Sequence, residues 1–408
     1  MMTEEKRDLA RHNTRLLNFF ALCQGAIFIL PVLLPYYSDR IGLGFRELMA
    51  GEAVFAAIII LMEIPTGWLA DRWKRKYVLA LAGAMGFCGY FLLSQAGSFF
   101  ETVVAQGTIG VAVSLVSGTM AALHYDSLLA AGTEDEYRRQ EGRRHGLGMM
   151  SVGLSSLAGG FLYSVHPELP IIGTLITGMG MFVCAMLMRE PERHRAAGRR
   201  NPFAAMAETV KYALHGHREI AEIILASAAL FGTTKMMMWA QQPYYTAIGL
   251  DEKWFGVLMA GGFLTGAMAS HLGHLLDHRF RNRSVLLAMT GAVAVLCVAS
   301  AMLHNIYGAI LLIAGSLCWG VGWPLVQDAI NQRAESHRRA MILSTASLMI
   351  HMMFIPLSLM VGAVADARNI ETAVLGLAMI PVMAAFLLLR VVLRDRKLEK
   401  TALFQPPL

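Results

Sequence analysis

Apolar runs of roughly 18–25 residues recur from one end of this chain to the other, each long enough to cross the hydrocarbon core of a bilayer as a helix. Twelve such spans can be read, at approximately 16–37, 46–70, 77–96, 100–130, 146–165, 171–188, 221–248, 253–276, 284–303, 307–331, 341–365 and 370–392. Backbone polar groups at membrane depth find no water, so a chain of this kind is expected to fold as an all-α bundle embedded in lipid. Composition agrees: 56% of the 408 residues are hydrophobic and 16% charged, whereas a soluble domain is about a quarter charged.

The net charge of +6 would by itself suggest a nucleic-acid partner. Its distribution points to membrane topology instead. With the N-terminus placed inside, 30 of the 35 Lys and Arg fall in the tails and in the loops on one side. The other side holds Arg40, Arg46, Lys253 and Arg368, and Lys235 lies within a span. This bias predicts that both termini are cytoplasmic, in a multi-pass protein of the inner cell membrane, with no nucleic-acid partner. Met1 to Arg15 is polar and a full-length span follows, so no cleavable signal peptide is expected. Cys23, Cys88, Cys184, Cys297 and Cys318 all fall inside apolar runs without pairing or metal-ligand spacing, and read as packing residues.

A second feature divides the chain. Gly67-Trp68-Leu69-Ala70-Asp71-Arg72-Trp73-Lys74-Arg75 joins the second and third spans as a short basic turn. Gly273-His274-Leu275-Leu276-Asp277-His278-Arg279-Phe280-Arg281, 206 residues later, repeats its Gly, Leu, Asp and final Arg and again joins two apolar runs. Two similar halves are a plan used by secondary transporters. The expected organisation is a six-helix bundle over 1–188, a polar linker over 189–220, and a second six-helix bundle over 221–408. In the linker, Asn201-Pro202 starts a helix on which Phe203, Met206, Val210 and Leu214 form one apolar face. Asp126 and Asp328 each lie near the inner end of the fourth helix of a half, just before a basic loop, and are candidate gate latches.

The paired turns resemble the loop 2–3 signature of the major facilitator superfamily, G-x-L-a-D-r-x-G-r-r/k, with Lys74 where that family usually has Gly. The resemblance implies two pseudo-symmetric bundles around a midplane cavity, with helices 1, 4, 7 and 10 lining it and the halves rocking about it. It assigns gating to Gly67, Asp71, Arg72 and Arg75 and, in the second copy, to Gly273 and Asp277. Gly67 is expected to let a neighbouring helix come close. Exporters of the superfamily often carry R-x-x-Q-G in the fourth helix. Gln106-Gly107 fit, and Val103 stands where the arginine would be. The fifth-helix antiporter pattern keeps only Gly159-Gly160, with Ser151, Ser155 and Ser156 at other marked positions.

Polar side chains inside spans are costly and point to function. Lys235 falls near mid-membrane on the seventh helix, and Trp239, Gln242 and Thr246 share its face. Trp319 and Trp323 share a face of the tenth helix, and His351 can exchange a proton near neutral pH. Gln24 and Gln106 complete the candidate substrate groups, and Glu52 joins His351 as a candidate proton carrier. Glu63 resembles the acid of an E-x-P-T-G sequence in one branch of the superfamily and reads as structural. No P-loop, HExxH, cysteine cluster or nucleophile elbow is present. A non-enzymatic, cofactor-free monomer is therefore expected, and the resemblance implies a secondary transporter, read here as exporting a small organic or amphipathic solute in exchange for protons. The alternatives are uptake or facilitated movement of an anionic metabolite held by Lys235 and, remotely, an intramembrane enzyme or sensor.

Overall fold

The computed structural model describes residues 4–191, 211–212, 218–277, 282–331, 333 and 339–390. Every element among these is helical. We number twelve: α1 (Glu4–Ile41), α2 (Phe45–Arg72), α3 (Arg75–Gln95), α4 (Phe99–Ala130), α5 (Tyr137–Val165), α6 (Leu169–Leu187), α7 (Arg218–Ala247), α8 (Lys253–Asp277), α9 (Asn282–Met302), α10 (Ile306–Asn331), α11 (Arg339–Ala367) and α12 (Ile370–Arg390). Eleven stretches of the described residues are long and apolar enough to cross a membrane. The expected eighth span falls on α8, whose side chains beyond Ala269 lie outside the described residues, as do Asn201-Pro202 and the apolar face expected in the linker.

The helix starts are set by side chains that satisfy otherwise orphaned N–H groups. Glu47 Oε2 accepts from the Gly44 N–H at 3.0 Å at the start of α2. Glu101 Oε2 accepts from Gly97 N–H at 2.7 Å ahead of α4, and Asn369 Oδ1 accepts from Thr372 N–H at 2.8 Å in α12. Three of the expected spans are interrupted, the twelfth only briefly, at Ala378. Beyond Gly25 the first breaks into short turns containing Pro31 and Pro35, ending at Gly42 with φ +76°. The fourth divides into Phe99–Val116 and Thr119–Ala130 at Gly118, φ +72°.

The chain separates into two compact units: residues 1–203 with 249–264, and 204–248 with 265–408. The first is centred on α1, α3, α4 and α6, with a core of Leu17, Phe20, Val78, Leu79, Leu115, Leu123, Cys184 and Ala185. Gly83 sits against the backbone of Phe182, so close that a Cβ would collide there. In the second unit α7 is the hub, packed on α9, α10, α11 and α12. It is buried over 83% of its apolar window, against 33–50% for the other spans, and its buried residues include the polar Thr233, Thr234, Gln241 and Gln242. Tyr244 Oη, fully buried, donates to the carbonyl oxygens of Ser300 and Leu303 and so ties the end of α7 to the end of α9. Large apolar side chains such as Leu61, Phe100, Ile176, Leu225, Val295 and Phe386 point outward. That surface matches lipid and defines an integral membrane protein.

Candidate functional site

In the first unit, the approach of α2 to α4 is made at Gly110, where a Cβ would lie 3.1 Å from Ile58 side-chain atoms and from the Phe55 carbonyl oxygen. One turn along, this crossing brings Glu52 against Gln106. Gln106 Nε2 donates to Glu52 Oε1 at 3.0 Å, and the two residues are only 3% and 5% exposed, respectively. Gly51 leaves the room: a Cβ there would stand 3.4 Å from Gln106 Cγ and 3.8 Å from Tyr37 Oη. The Tyr37 hydroxyl is buried and has no hydrogen-bond partner among the described residues. Ionised, Glu52 accepts from Gln106; protonated, it can accept through one oxygen and donate through the other. The arrangement can therefore hold or release a proton without breaking the α2–α4 contact. Gln24 is half-buried, beside the break in α1.

The basic end of this unit is a second polar centre. Arg75 is ion-paired with Asp126 and donates to the Ala122 carbonyl at 3.0 Å. Glu190 caps the start of α3, accepting from the Arg75 and Lys76 N–H groups at 2.9 and 3.0 Å. Lys76 Nζ reaches the Met188 carbonyl at 3.1 Å. Asn13, fully buried, donates to Ser127 Oγ and the Arg189 carbonyl and accepts from the Arg189 N–H, at 2.7–2.9 Å. His124 Nδ1 lies 3.2 Å from Glu141 Oε2, and Glu141 also pairs with Arg144. These bonds fasten α1, α3, α4, α5 and the segment after α6 to one another. Two candidate gating residues, Arg75 and Asp126, are thus partners inside one unit. Asp71 is exposed, and the Arg72 guanidinium lies over Trp68, 4.3 Å from its ring centroid. Gly67 differs from expectation: a Cβ there would meet no described atom within 4 Å, so no close helix approach uses it here.

In the second unit, Lys235 Nζ stands 4.0 Å from the ring centroid of Phe354 on α11, a cation–π contact. His351 lies one turn before Phe354 and Trp239 one turn after Lys235. The His351 Nδ1 and Trp239 Nε1 atoms are buried with no hydrogen-bond partner among the described residues. Gln242 is 1% exposed. Phe231, one turn before Lys235, meets Trp319 and Trp323 of α10 edge to face, with centroids 5.0 and 5.6 Å apart. Trp323 is half-buried and Trp319 more exposed. Two aromatic rings that carry no polar signal in the sequence thus meet candidate residues: Phe354 meets Lys235, and Phe231 meets Trp319 and Trp323. Asp328 is half-buried, and the nearby Arg333 pairs with Glu219 at 3.2 Å. The side chains of Gly273 and Asp277 lie outside the described residues.

Two compact helical units, each with polar groups buried within its apolar spans, fit a secondary transporter. The family is also defined: the model of the Major Facilitator Superfamily matches residues 4–133 and 133–355, and the chain belongs to that family. Among solved structures, the nucleoside transporter NupG is similar with a TM-score of 0.73 at 15% identity, covering 94% of this chain and 98% of that one. A bacterial homolog to the human lysosomal transporter Spinster, in an inward-facing and unoccupied conformation, gives 0.73 at 13% identity, covering 95% and 96%. No curated protein matches the sequence.

Proposed function

We propose that this transporter is a proton-coupled carrier of a small organic solute, working by alternating access in the inner membrane and exporting the solute in exchange for protons. The observation that carries the reading is the buried Glu52–Gln106 pair. It places a protonatable carboxyl at the position of the exporter-like Gln-Gly, with a partner that tolerates either charge state. Both termini are assigned to the cytoplasm, so that the Arg75–Asp126 pair lies at the inner end. The solute is one with an apolar or flat ring and hydrogen-bond acceptors, because Lys235, Trp239 and His351 offer donors beside aromatic walls.

A second reading, uptake or facilitated movement of an anionic metabolite, is favoured by those same donors, of which Lys235 is a cation. The fold neighbour described as a nucleoside transporter adds nucleosides to the solutes worth testing.

The test begins with a thermal-shift screen of drugs, nucleosides and small organic acids, since a ligand that binds the folded state raises its apparent stability. Hits are then assayed in proteoliposomes under imposed pH gradients. Accumulation in an acid-loaded lumen is the expected result and marks exchange. Accumulation driven by an acid exterior replaces exchange with proton-coupled uptake. Movement that ignores both gradients removes proton coupling.

A further inference from the structure

At the basic end of the first unit a cavity of about 490 Å³ opens between the start of α1, the end of α4 and the start of α5. Its volume is within the range of small-molecule sites, roughly 300–1,000 Å³. Arg7, Arg11 and Arg15 line one wall and Arg143 another. Successive spacings of four put the three α1 arginines in one row, where like charges repel. None of the four guanidiniums makes an ion pair or hydrogen bond among the described residues. Glu136, the carboxylate lining the cavity, pairs with Arg139 and accepts from Gln140. Of the neighbouring carboxylates, Asp8 pairs with Arg189, Glu141 with Arg144 and Asp126 with Arg75, while Glu4, Glu134 and Asp135 are exposed and outside the lining.

The four arginines are exposed at the cavity mouth, and two further observations describe the wall behind them. Ala10, Leu128 and Ala131 pack into a small buried cluster that fixes α1 against the end of α4, so the arginines are held on a seated helix. Asn18, on the cavity lining, has its Oδ1 buried without a hydrogen-bond partner. The side-chain amide can present either an acceptor or a donor there.

We propose that this cavity, whose lining includes neither Glu52 nor Gln106, binds a phosphate-bearing organic anion. Guanidiniums match phosphate oxygens with paired N–H donors, and a hydroxyl on the organic part answers the Asn18 amide. Phosphorylated sugars and phospholipid headgroups share this chemistry, and the experiment separates them. The inference does not rest on the coupling or direction of transport.

Full-length protein in phosphatidylcholine nanodiscs is titrated with glucose 6-phosphate, with glucose as the uncharged control. A parallel set of nanodiscs contains phosphatidylglycerol. Glucose 6-phosphate is expected to bind and to raise Tm, and glucose to do neither. Arg11→Gln with Arg15→Gln should weaken binding at least about tenfold. Arg138→Gln, exposed and outside the cavity, should change it within about twofold. Arg11→Lys with Arg15→Lys keeps the charge and guards against misfolding; it should retain part of the affinity. Asn18→Ala should weaken glucose 6-phosphate while sparing inorganic phosphate. A Tm rise with phosphatidylglycerol alone, abolished by the double Gln variant, supports the site with a lipid headgroup as its ligand. The proposal fails if neither ligand acts, or if Arg138→Gln weakens binding as much as the cavity pair does.

Discussion

Glu52 and Gln106 lie 54 residues apart in sequence and 3.0 Å apart in space, and the pair separates two effects that a single substitution usually mixes. Glu52→Gln keeps a side-chain oxygen that can accept from Gln106 but removes the exchangeable proton. We expect normal folding, solute binding within about twofold of the parent, and proton-driven accumulation reduced at least about tenfold in proteoliposomes. Glu52→Ala leaves the buried Gln106 amide without that acceptor, which costs about 1–3 kcal/mol and should lower Tm. Equal proton-driven accumulation by Glu52→Gln and the parent would take the coupling role away from this residue. Lys235 has its own test. Lys235→Met keeps much of the length and the contact with Phe354 but not the charge. Affinity for anionic solutes should fall at least about tenfold, with uncharged solutes little altered, when both are measured by competition binding. Were both kinds of solute bound as before, Lys235 would have no place in recognition. Both residues were legible in the sequence because an ionisable group in an apolar run stands out. Phe231 and Phe354 were not, since an aromatic in such a run gives no sign of what it faces.

At the scale of the helices, the twelve spans follow from bilayer thickness acting on composition, which is why the apolar runs could be counted before any fold was known. The interruptions are different, because they are backbone events. At Gly118 the Thr119 N–H donates to the Ser117 carbonyl at 2.8 Å, closing a three-residue turn with φ +72° and ψ −38° at its centre. That turn is rare and strained, and among the chain's 38 glycines nothing in the sequence marks this one. It resets the direction of Thr119–Ala130, the segment that carries His124, Asp126 and Ser127 to their partners Glu141, Arg75 and Asn13. Those partners also escaped the sequence, except Arg75, because polar residues near helix ends look the same whether solvated or buried. Gly118→Ala places a Cβ in the left-handed region and should cost about 1–2 kcal/mol. The measurable outcome is a lower Tm in detergent, with the Arg75–Asp126 contact loosened as judged by faster hydrogen exchange over residues 119–130. An unchanged Tm and exchange profile would show that the turn can be remade without glycine.

For the molecule as a whole, orientation rests on where the cations lie rather than on any one contact. The bias is large: with the spans read from the sequence, 30 Lys and Arg are assigned to one side against Arg40, Arg46, Lys253 and Arg368 on the other. At the basic end of the first unit, several of these cations also have structural partners. Arg75 is held by Asp126, Lys76 by the Met188 carbonyl, and Arg189 by Asp8. At the opposite end of that unit the charges are few and mostly neutralised locally, as Arg40 is by Glu168 and Lys253 by Asp251. Cytoplasmic loops retain Lys and Arg, so the inverted arrangement would require most of the positive charge to be translocated. Single cysteines in a background without the five native ones test this directly. Cysteines at Ser98 and Asn305 should label with an impermeant thiol reagent in intact cells, and cysteines at Glu134 and Ala334 only after lysis. Ser98 and Glu134 lie at opposite ends of α4, one before Phe99 and one after Ala130, so a single membrane crossing separates the two first-unit probes. Labelling of the Glu134 position in intact cells, with the Ser98 position protected, would reverse the assignment and move the arginine-lined cavity to the outer face.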